Sequence, residues 1–235
     1  MESKNIKPNF IIAGTARSGT TTLYSYLKQH PEICMSSIKE PEFFSRYYNK
    51  GIEWYLRFFF KLNKQSSKKI FLYALLPRFK RCRNEKFVGE ATTRYFHYPK
   101  AVERIYKFNP HFKLIFILRN PITRAFSNYV REIQTKGIRE RFEKIIKTNH
   151  IRRKEYLNPG RYFTHLSRFL KYFSKKQIHI IIFEKFLSNP NKILKNVLSF
   201  LGANNTFNFN HNIIKSNPSV MPISLFFQKI IDRFF

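Results

Sequence analysis

A glycine-framed segment near the N-terminus has the residue types needed to hold a phosphate-like anion. It spans residues 9–22 and reads NFIIAGTARSGTTT, with an apolar run before Gly14 and helical spacing of apolar residues afterwards. Glycines permit a tight turn that brings backbone N–H groups to an anion, and the next helix points its positive end there. The spacing is that of a GxxxxG phosphate loop, but Thr20 stands where that loop has its lysine. Because Arg17 is the nearest cation, we predict an oxyanion site without the usual ATP–magnesium arrangement.

A second candidate anion site follows the apolar run KLIFILR at 113–119. Arg119 ends that run, Asn120-Pro121 has the residues of a helix start, and Ser127 lies eight residues after the arginine. A guanidinium, a helix N-terminus and a hydroxyl suit a second phosphate-like group, away from the first. The alternatives are a strand-end salt bridge for Arg119 and a helix packing contact for Ser127. Taken with the glycine loop, the pair describes a nucleotide with phosphates at both ends.

Two loop carboxylates are candidates for proton transfer, and a third carboxylate ends a predicted strand. Glu90 ends the apolar run KFVGE, and the loop SSIKEPEFFS at 36–45 places Glu40 and Glu42 beside two phenylalanines. A carboxylate in such surroundings is expected to have a raised pKa and to serve as a general base. The alternative for Glu40 is an exposed loop carboxylate paired with Lys39, and Glu42 remains a rival base.

Apolar strands alternate with helices along the chain. The predicted strands are 9–14, 86–90, 113–119 and 178–183, and the predicted helices are 20–29, 51–60, 99–108, the stretch after 121, 139–149, 162–173 and 190–201. Apolar runs without alternation are typical of strands covered on both faces. We therefore predict an α/β fold with a P-loop-like central parallel β-sheet flanked by helices on both faces, and ligands beyond the carboxyl ends of its strands.

The length of 235 residues predicts one domain over 1–235, with its core at about 9–203. The segment 61–86 has nine Lys or Arg and one Glu, and we interpret it as a basic excursion that lines an acceptor cleft. The stretch 220–235 is amphipathic, and we expect it to pack on the domain rather than on a membrane.

The composition restricts the class of protein. The 27 Phe and 13 Tyr argue against disorder, and the formal net charge of +30 favours anionic partners. An alternative for the charge outside the motifs is a solvated surface without a specific partner.

Cysteine and histidine usage gives expectations about metals and compartment. The chain has only Cys34 and Cys82, without CxxC, and His97, His111 and His165 lack metal-ligand spacing. We therefore predict no disulfide framework and no metal site, with the histidines in packing or surface roles. These features fit a reducing compartment. No apolar run is long enough to span a membrane and no secretory segment is present, so the expected location of a complete chain is cytoplasmic.

Four segments together carry a family resemblance: TARSGTTTLYSYLKQHP, KEPEFF, IFILRNPITRAFSNY and NPGRYFTHLSRFL. They resemble, in order, motifs of the sulfotransferases that use 3′-phosphoadenosine 5′-phosphosulfate (PAPS). The resemblance is greatest to the branch with heparan sulfate N- and O-sulfotransferase domains and many bacterial sulfotransferases. It covers roughly residues 9–203, and the joint match is more specific than any one motif.

The resemblance implies cofactor-binding roles for Arg17, Ser18, Gly19, Thr20, Thr21, Arg119, Ser127, Gly160, Arg161 and Tyr162. The first five are implied to hold the 5′-phosphate, with Arg17 also stabilising charge on the leaving phosphate. Arg119 and Ser127 are implied to bind the 3′-phosphate, and the last three to close over the cofactor.

The resemblance also implies a reaction. A sulfuryl group passes from PAPS to a hydroxyl or amine of a carbohydrate or other small acceptor, by in-line attack, with Glu40 as general base and no metal. Ala91 stands where relatives often have a lysine, so that role is either absent or supplied elsewhere, with Lys39 and Arg94 as the candidates, and a heparan-like acceptor is not implied. The alternatives are a P-loop nucleotide kinase or hydrolase, which Thr20 argues against, and a non-enzymatic polyanion-binding protein. No specific nucleic-acid partner is expected.

Overall fold

The computed structural model describes residues 7–60, 82, 85–148 and 150–212. Most of the predicted basic excursion at 61–86 and all of the predicted tail at 220–235 lie outside the described residues. The division of the chain into a core and these appendages therefore stays a prediction.

Within that part of the chain, five parallel strands form one sheet in the order β2-β3-β1-β4-β5. The strands are β1 Phe10–Gly14, β2 Ile33–Met35, β3 Phe87–Ala91, β4 Lys113–Leu118 and β5 Ile178–Ile182. In this order β1 lies between β3 and β4, with Ile12 opposite Ala91 on one side and Ile115 on the other. The carboxyl ends of the three central strands, β3, β1 and β4, therefore meet at one edge of the sheet.

Among the described residues, helices lie between the strands and after β5. They are α1 Thr20–Leu27, α2 Ile52–Leu56, α3 Pro99–Phe108, α4 Pro121–Lys136, α5 Phe142–Lys147, α6 Arg153–Leu157, α7 Tyr162–Leu170, α8 Phe183–Ser188 and α9 Pro190–Leu201. Asn120 and Asn189 cap α4 and α9 with their side-chain oxygens, each before a proline at the first helical position. Gly202 ends α9 with φ of 86°, a conformation that glycine adopts without a Cβ penalty.

The sheet is buried on both faces. Phe10 and Ile12 pack with side chains of α1, α8 and α9, whereas Ile11 and Ala13 pack with side chains of α2, α3 and α7. Successive strand residues point to opposite faces, so one strand contributes to both cores. The predicted α/β fold, with a central parallel sheet covered on both faces, is confirmed.

Several predicted elements differ from the structure. The strand at 178–183 is not fully buried, because β5 pairs with β4 alone and leaves Ile180 46% and Ile182 41% exposed. The helices predicted at 20–29, 51–60 and 139–149 are shorter, and β2 and α8 were not predicted. A strand of three residues such as β2 has too few positions to show a pattern.

The prediction of no disulfide is wrong. Cys34 on β2 is bonded to Cys82, with a Cα–Cα distance of 5.5 Å across a sequence separation of 48. Both residues are buried. Cysteine spacing indicates nothing about pairing at this separation, since the contact depends on the tertiary structure, in which the backbone N of Cys82 donates to the carbonyl of Phe59 at 3.0 Å. The argument for a reducing compartment loses its basis, and cellular location stays a prediction. Among the described helices, none has both the length and the apolarity to cross a bilayer.

Reduction of this disulfide is expected to lower the free energy of unfolding by about 4 kcal/mol. The bond closes a long loop, and the loss of loop entropy in the unfolded chain gives this value for a loop of its size. Denaturant unfolding with and without dithiothreitol measures the effect. The control is the Cys34→Ala/Cys82→Ala double variant, which should not respond to the reductant. An unchanged wild-type midpoint after confirmed reduction contradicts the prediction.

Candidate active site

The glycine loop after β1 has a backbone that side chains would obstruct. A Cβ on Gly14 would lie 2.7 Å from the Cβ of Phe96, and one on Gly19 would lie 3.0 Å from the ring of Phe183. Gly19 precedes α1 with φ of 81°, and Arg17 adopts a left-handed φ of 69°. Such a conformation is costly for a residue with a side chain and is typical of ligand-binding turns.

The same loop is fixed to β4 by a buried polar residue. Thr15 donates from its backbone N and its Oγ1 to the carbonyl of Ile117, at 2.9 Å in both cases. Its hydroxyl also lies 2.7 Å from the hydroxyl of Ser18, which is fully buried. The loop is therefore positioned by the sheet, with the backbone N–H groups at the start of α1 in a fixed place.

Two arginines and a serine form one cluster beside this loop. Arg119 Nη1 donates to the carbonyl of Arg17 at 3.0 Å, and Arg17 Nε donates to Ser127 Oγ at 3.1 Å. The Arg119 guanidinium also lies 4.8 Å from the ring centroid of Phe183 on α8. The sequence predicted two separate phosphate sites, and the structure joins their residues into a single cluster.

The electrostatics of this cluster favour an anion. Burial lowers the pKa of Arg17, and the charges of Arg131 and Arg119 lower it further. Burial also lowers the pKa of Arg119, while Glu184 on α8 opposes that effect. Guanidinium groups keep their protons in proteins. An oxyanion placed here would relieve the repulsion between neighbouring, partly desolvated cations.

The predicted closing segment 160–162 packs on the start of α4. A Cβ on Gly160 would lie 3.2 Å from Pro121 Cβ, so the segment approaches α4 closely. Tyr162 donates its hydroxyl proton to the carbonyl of Arg119 at 2.6 Å. Arg161 is exposed. Gly160 and Tyr162 therefore belong to the same region as the arginine cluster.

Glu40 lies on the loop above the end of β3. Its backbone N donates to the carbonyl of Ala91 at 2.9 Å, and its Oε2 accepts from the backbone N of Thr93 at 2.8 Å. Its Oε1 accepts from Lys39 Nζ at 2.6 Å. The ion pair with Lys39 agrees with the alternative interpretation, in which Glu40 is a paired loop carboxylate. The backbone N of Thr93 also holds the carboxylate beside the end of β3.

Glu42 has different partners. Its Oε2 lies 3.1 Å from Arg94 Nε and 3.6 Å from Arg46 Nε. Glu40 and Glu42 have φ of 59° and 53°, so the loop has two left-handed residues with side chains. Such a loop persists only where the surrounding structure fixes it.

Glu90, which the sequence places at the end of a strand without assigning it a role, is a buried carboxylate at this edge of the sheet. It is fully buried and accepts hydroxyl protons from Tyr55 at 3.0 Å, Tyr95 at 3.0 Å and Thr92 at 2.5 Å. Burial raises the pKa of Glu90 to about 7, the three hydroxyl bonds oppose that rise, and the charge of Glu40 adds to it.

A pH-dependent difference in stability is expected between wild type and Glu90→Gln. The unfolded carboxyl ionises near its ordinary pKa of 4.5, while the folded group ionises near 7. Between these values the folded state binds more protons, so the contribution of Glu90 to the free energy of unfolding falls as pH rises. The wild-type value minus the Glu90→Gln value should fall by on the order of 2–3 kcal/mol from pH 5 to 7.5. Urea unfolding at both pH values measures it, and a difference that is independent of pH contradicts the prediction.

The partners of these carboxylates were not predicted. Tyr55, Thr92 and Tyr95 come from α2, the end of β3 and the turn after it. The only sequence signal was the buried strand ending in Glu90, since a buried carboxylate requires donors.

One of the predicted packing histidines has such a role: His165 is buried and bonds the carbonyl of Asn158 at 2.8 Å. In the part of the chain that the structure describes, no three His, Cys, Asp or Glu residues form a candidate metal site.

The parallel sheet, the glycine loop at its carboxyl edge and the adjacent arginine cluster define a P-loop-like α/β protein with a candidate anion site. Residues 7–223 match the family model of the sulfotransferase domain. The chain belongs to the sulfotransferase family.

Curated relatives include heparan sulfate enzymes. The chain is 31% identical over 218 residues to mouse bifunctional heparan sulfate N-deacetylase/N-sulfotransferase 4, covering 86% of this chain and 23% of the relative. It is 31% identical over 204 residues to human heparan sulfate glucosamine 3-O-sulfotransferase 5, covering 83% of this chain and 53% of the relative. The chain thus spans about a quarter and about half of these proteins.

A solved structure agrees over almost the whole length. The sulfotransferase from Alicyclobacillus acidocaldarius has 27% sequence identity and a TM-score of 0.69, and the match covers 98% of this chain and 92% of that one. The sulfotransferase fold is therefore shared over most of the chain.

Proposed function

We propose that this chain transfers a sulfuryl group from PAPS to a hydroxyl or amino group of a carbohydrate or other small acceptor. The observation that carries the proposal is the cluster of Arg17, Ser127 and Arg119 beside the glycine loop. It lies at the same sheet edge as the Glu40 loop. The names of the heparan sulfate relatives favour a carbohydrate acceptor, and the net charge of +30 favours an anionic one.

The residues present fit a cofactor with two phosphate-bearing ends. Gly19 leaves the loop backbone open to an anion, and α1 begins directly after it. Arg17 has Nη groups besides the Nε that bonds Ser127, so it can bind an oxyanion without leaving the cluster. Arg119 and Ser127 would hold the 3′-phosphate end, and Tyr162, bonded to the carbonyl of Arg119, would close over the cofactor.

The chain's own residues have distinct tasks in this reaction. PAPS, when bound, supplies a sulfuryl group on a phosphate leaving group. Arg17 would hold negative charge at the leaving phosphate, because transfer reactions of this kind depend on positioning and charge stabilisation. Glu40 would take the proton from the acceptor hydroxyl or amine.

Glu40 is the better base of the two loop carboxylates. Glu42 lies between two guanidinium groups, those of Arg46 and Arg94, and its carboxylate is engaged by both. Glu40 has one ammonium partner, Lys39, on an adjacent and flexible side chain. Lys39 is also the cation best placed to supply the role of the lysine that Ala91 replaces, because it contacts Glu40 itself, whereas Arg94 contacts Glu42.

Calorimetric binding of nucleotides tests the proposal. The wild-type chain should bind 3′,5′-adenosine bisphosphate about 10- to 100-fold more tightly than 5′-AMP, since charge-assisted bonds to the extra phosphate contribute roughly 1.5–3 kcal/mol. ATP with magnesium serves as the competing ligand. Equal affinity for the bisphosphate and 5′-AMP contradicts the proposal, and tightest binding of ATP with magnesium favours a kinase or hydrolase. Transfer from radiolabelled PAPS to desulfated heparan oligosaccharides and amino sugars then identifies the acceptor.

A further inference from the structure

The buried carboxylate of Glu90 is connected to the loop that carries Glu40. Two of its three hydroxyl donors also accept a hydrogen bond from that loop. Thr92 Oγ1 donates to Glu90 Oε2 at 2.5 Å and accepts from the backbone N of Glu42 at 3.4 Å. Tyr95 OH donates to Glu90 Oε1 at 3.0 Å and accepts from the backbone N of Phe44 at 3.3 Å.

The direction of these bonds follows from the chemistry of the donors. A backbone N–H only donates, so each hydroxyl oxygen accepts from the loop with a lone pair. Each hydroxyl proton is then left to point at an oxygen of Glu90. Because Glu90 is fully buried, water does not compete for these positions.

The loop needs such anchors. Glu40 and Glu42 both have left-handed φ values, and a backbone of this kind relaxes unless its surroundings hold it. The bridges reach the loop at Glu42 and Phe44, on the C-terminal side of Glu40. The loop is also held at Glu40 itself, whose backbone N donates to the carbonyl of Ala91 on β3.

We propose that Glu90 is a positioning residue for Glu40, acting through the hydroxyls of Thr92 and Tyr95. The inference rests on the proposed function, in which Glu40 is the general base. Glu90 itself is enclosed and does not touch the acceptor. Its task is to keep the Glu40 carboxylate at a fixed height above the end of β3, where small displacements of a base have large effects on rate.

Tyr55 provides a matched control. Its hydroxyl donates to the same Glu90 Oε1 at 3.0 Å, and its ring stacks on Phe43 with centroids 4.7 Å apart. Tyr55→Phe removes one donor to Glu90 and keeps the ring. Tyr95→Phe also removes one donor and keeps the ring, but it takes away the acceptor of the Phe44 N–H as well. Of the two variants, only Tyr95→Phe removes a bridge to the loop.

Amide hydrogen exchange and transfer kinetics are measured on the full chain. Tyr95→Phe should increase exchange of the Phe44 amide at least tenfold and lower kcat by about tenfold, with affinity for 3′,5′-adenosine bisphosphate unchanged. Thr92→Val should do the same at the Glu42 amide, and Thr92→Ser, which keeps the hydroxyl, should restore both values. Tyr55→Phe should leave both amides and kcat within about twofold of wild type.

Equal effects of Tyr55→Phe and Tyr95→Phe on loop exchange and kcat overturn the positioning role, since they would reflect a general loss of stability. Failure of the proposed function is a separate result. If Glu40→Gln is as active as wild type, Glu40 is not the base, whereas exchange of the Glu42 and Phe44 amides, compared between wild type and Glu90→Gln, still decides whether Glu90 anchors the loop.

Discussion

Glu40→Gln is expected to lower kcat for sulfuryl transfer by about 10²- to 10⁴-fold, the usual contribution of a general base. The amide is isosteric and keeps an oxygen for the backbone N of Thr93, so the loop should stay in place. It cannot take a proton from the acceptor. Steady-state transfer from radiolabelled PAPS, with the best acceptor found for wild type, measures the effect. Calorimetry with 3′,5′-adenosine bisphosphate should show affinity within about twofold of wild type, because cofactor and base are held by different residues.

Glu42→Gln is the matched control for this result. The two residues lie on one loop, both with left-handed backbone, and differ in their partners. We expect a loss of less than about tenfold in kcat, because Glu42 is paired with two arginines and acts on the loop rather than on the acceptor. A larger loss for Glu42→Gln than for Glu40→Gln would reverse the assignment of the base.

Arg119→Ala is expected to weaken binding of 3′,5′-adenosine bisphosphate by about 30- to 100-fold. Removal of a partly buried guanidinium that binds phosphate costs roughly 2–3 kcal/mol. Arg119→Lys should recover only part of this affinity, because an ammonium lacks the planar fork of the guanidinium. Isothermal calorimetry of the three proteins measures the series.

Two controls separate ligand contact from a change in the loop. Arg119 also donates to the carbonyl of Arg17, so a loop that loses its shape should bind 5′-AMP as poorly as the bisphosphate. We expect affinity for 5′-AMP to fall by less than about fivefold, with the 3′-phosphate contribution lost selectively. Arg139→Ala, at an exposed arginine after α4, should leave both affinities unchanged. Equal losses for the two nucleotides in Arg119→Ala would contradict a specific 3′-phosphate role.

Local sequence signals determined most of the elements. Asn120-Pro121 and Asn189-Pro190 predict helix starts, and the structure has both caps, because an Asx side chain satisfies free N–H groups wherever it precedes a helix. The apolar runs before Gly14 and Arg119 predict buried strands, which are β1 and β4. A third apolar run, at 178–183, predicted a fully buried strand, and this prediction is wrong. The strand β5 lies at the edge of the sheet, and an edge position depends on strand order and not on composition.

The sequence by itself determined the fold class, the glycine loop and the residues Arg17, Arg119, Ser127 and Glu40 as candidates, since each depends on residue types at short spacing. Only the tertiary structure decided that Arg17 bonds Ser127 across a sequence separation of 110. The same holds for the pairing of Cys34 with Cys82 and for the hydroxyl bridges from Glu90 to the Glu40 loop. These contacts join residues that are distant along the chain. The parallel sheet brings together the residues of the arginine cluster and of the hydroxyl bridges, because it places the carboxyl ends of neighbouring strands side by side at one edge.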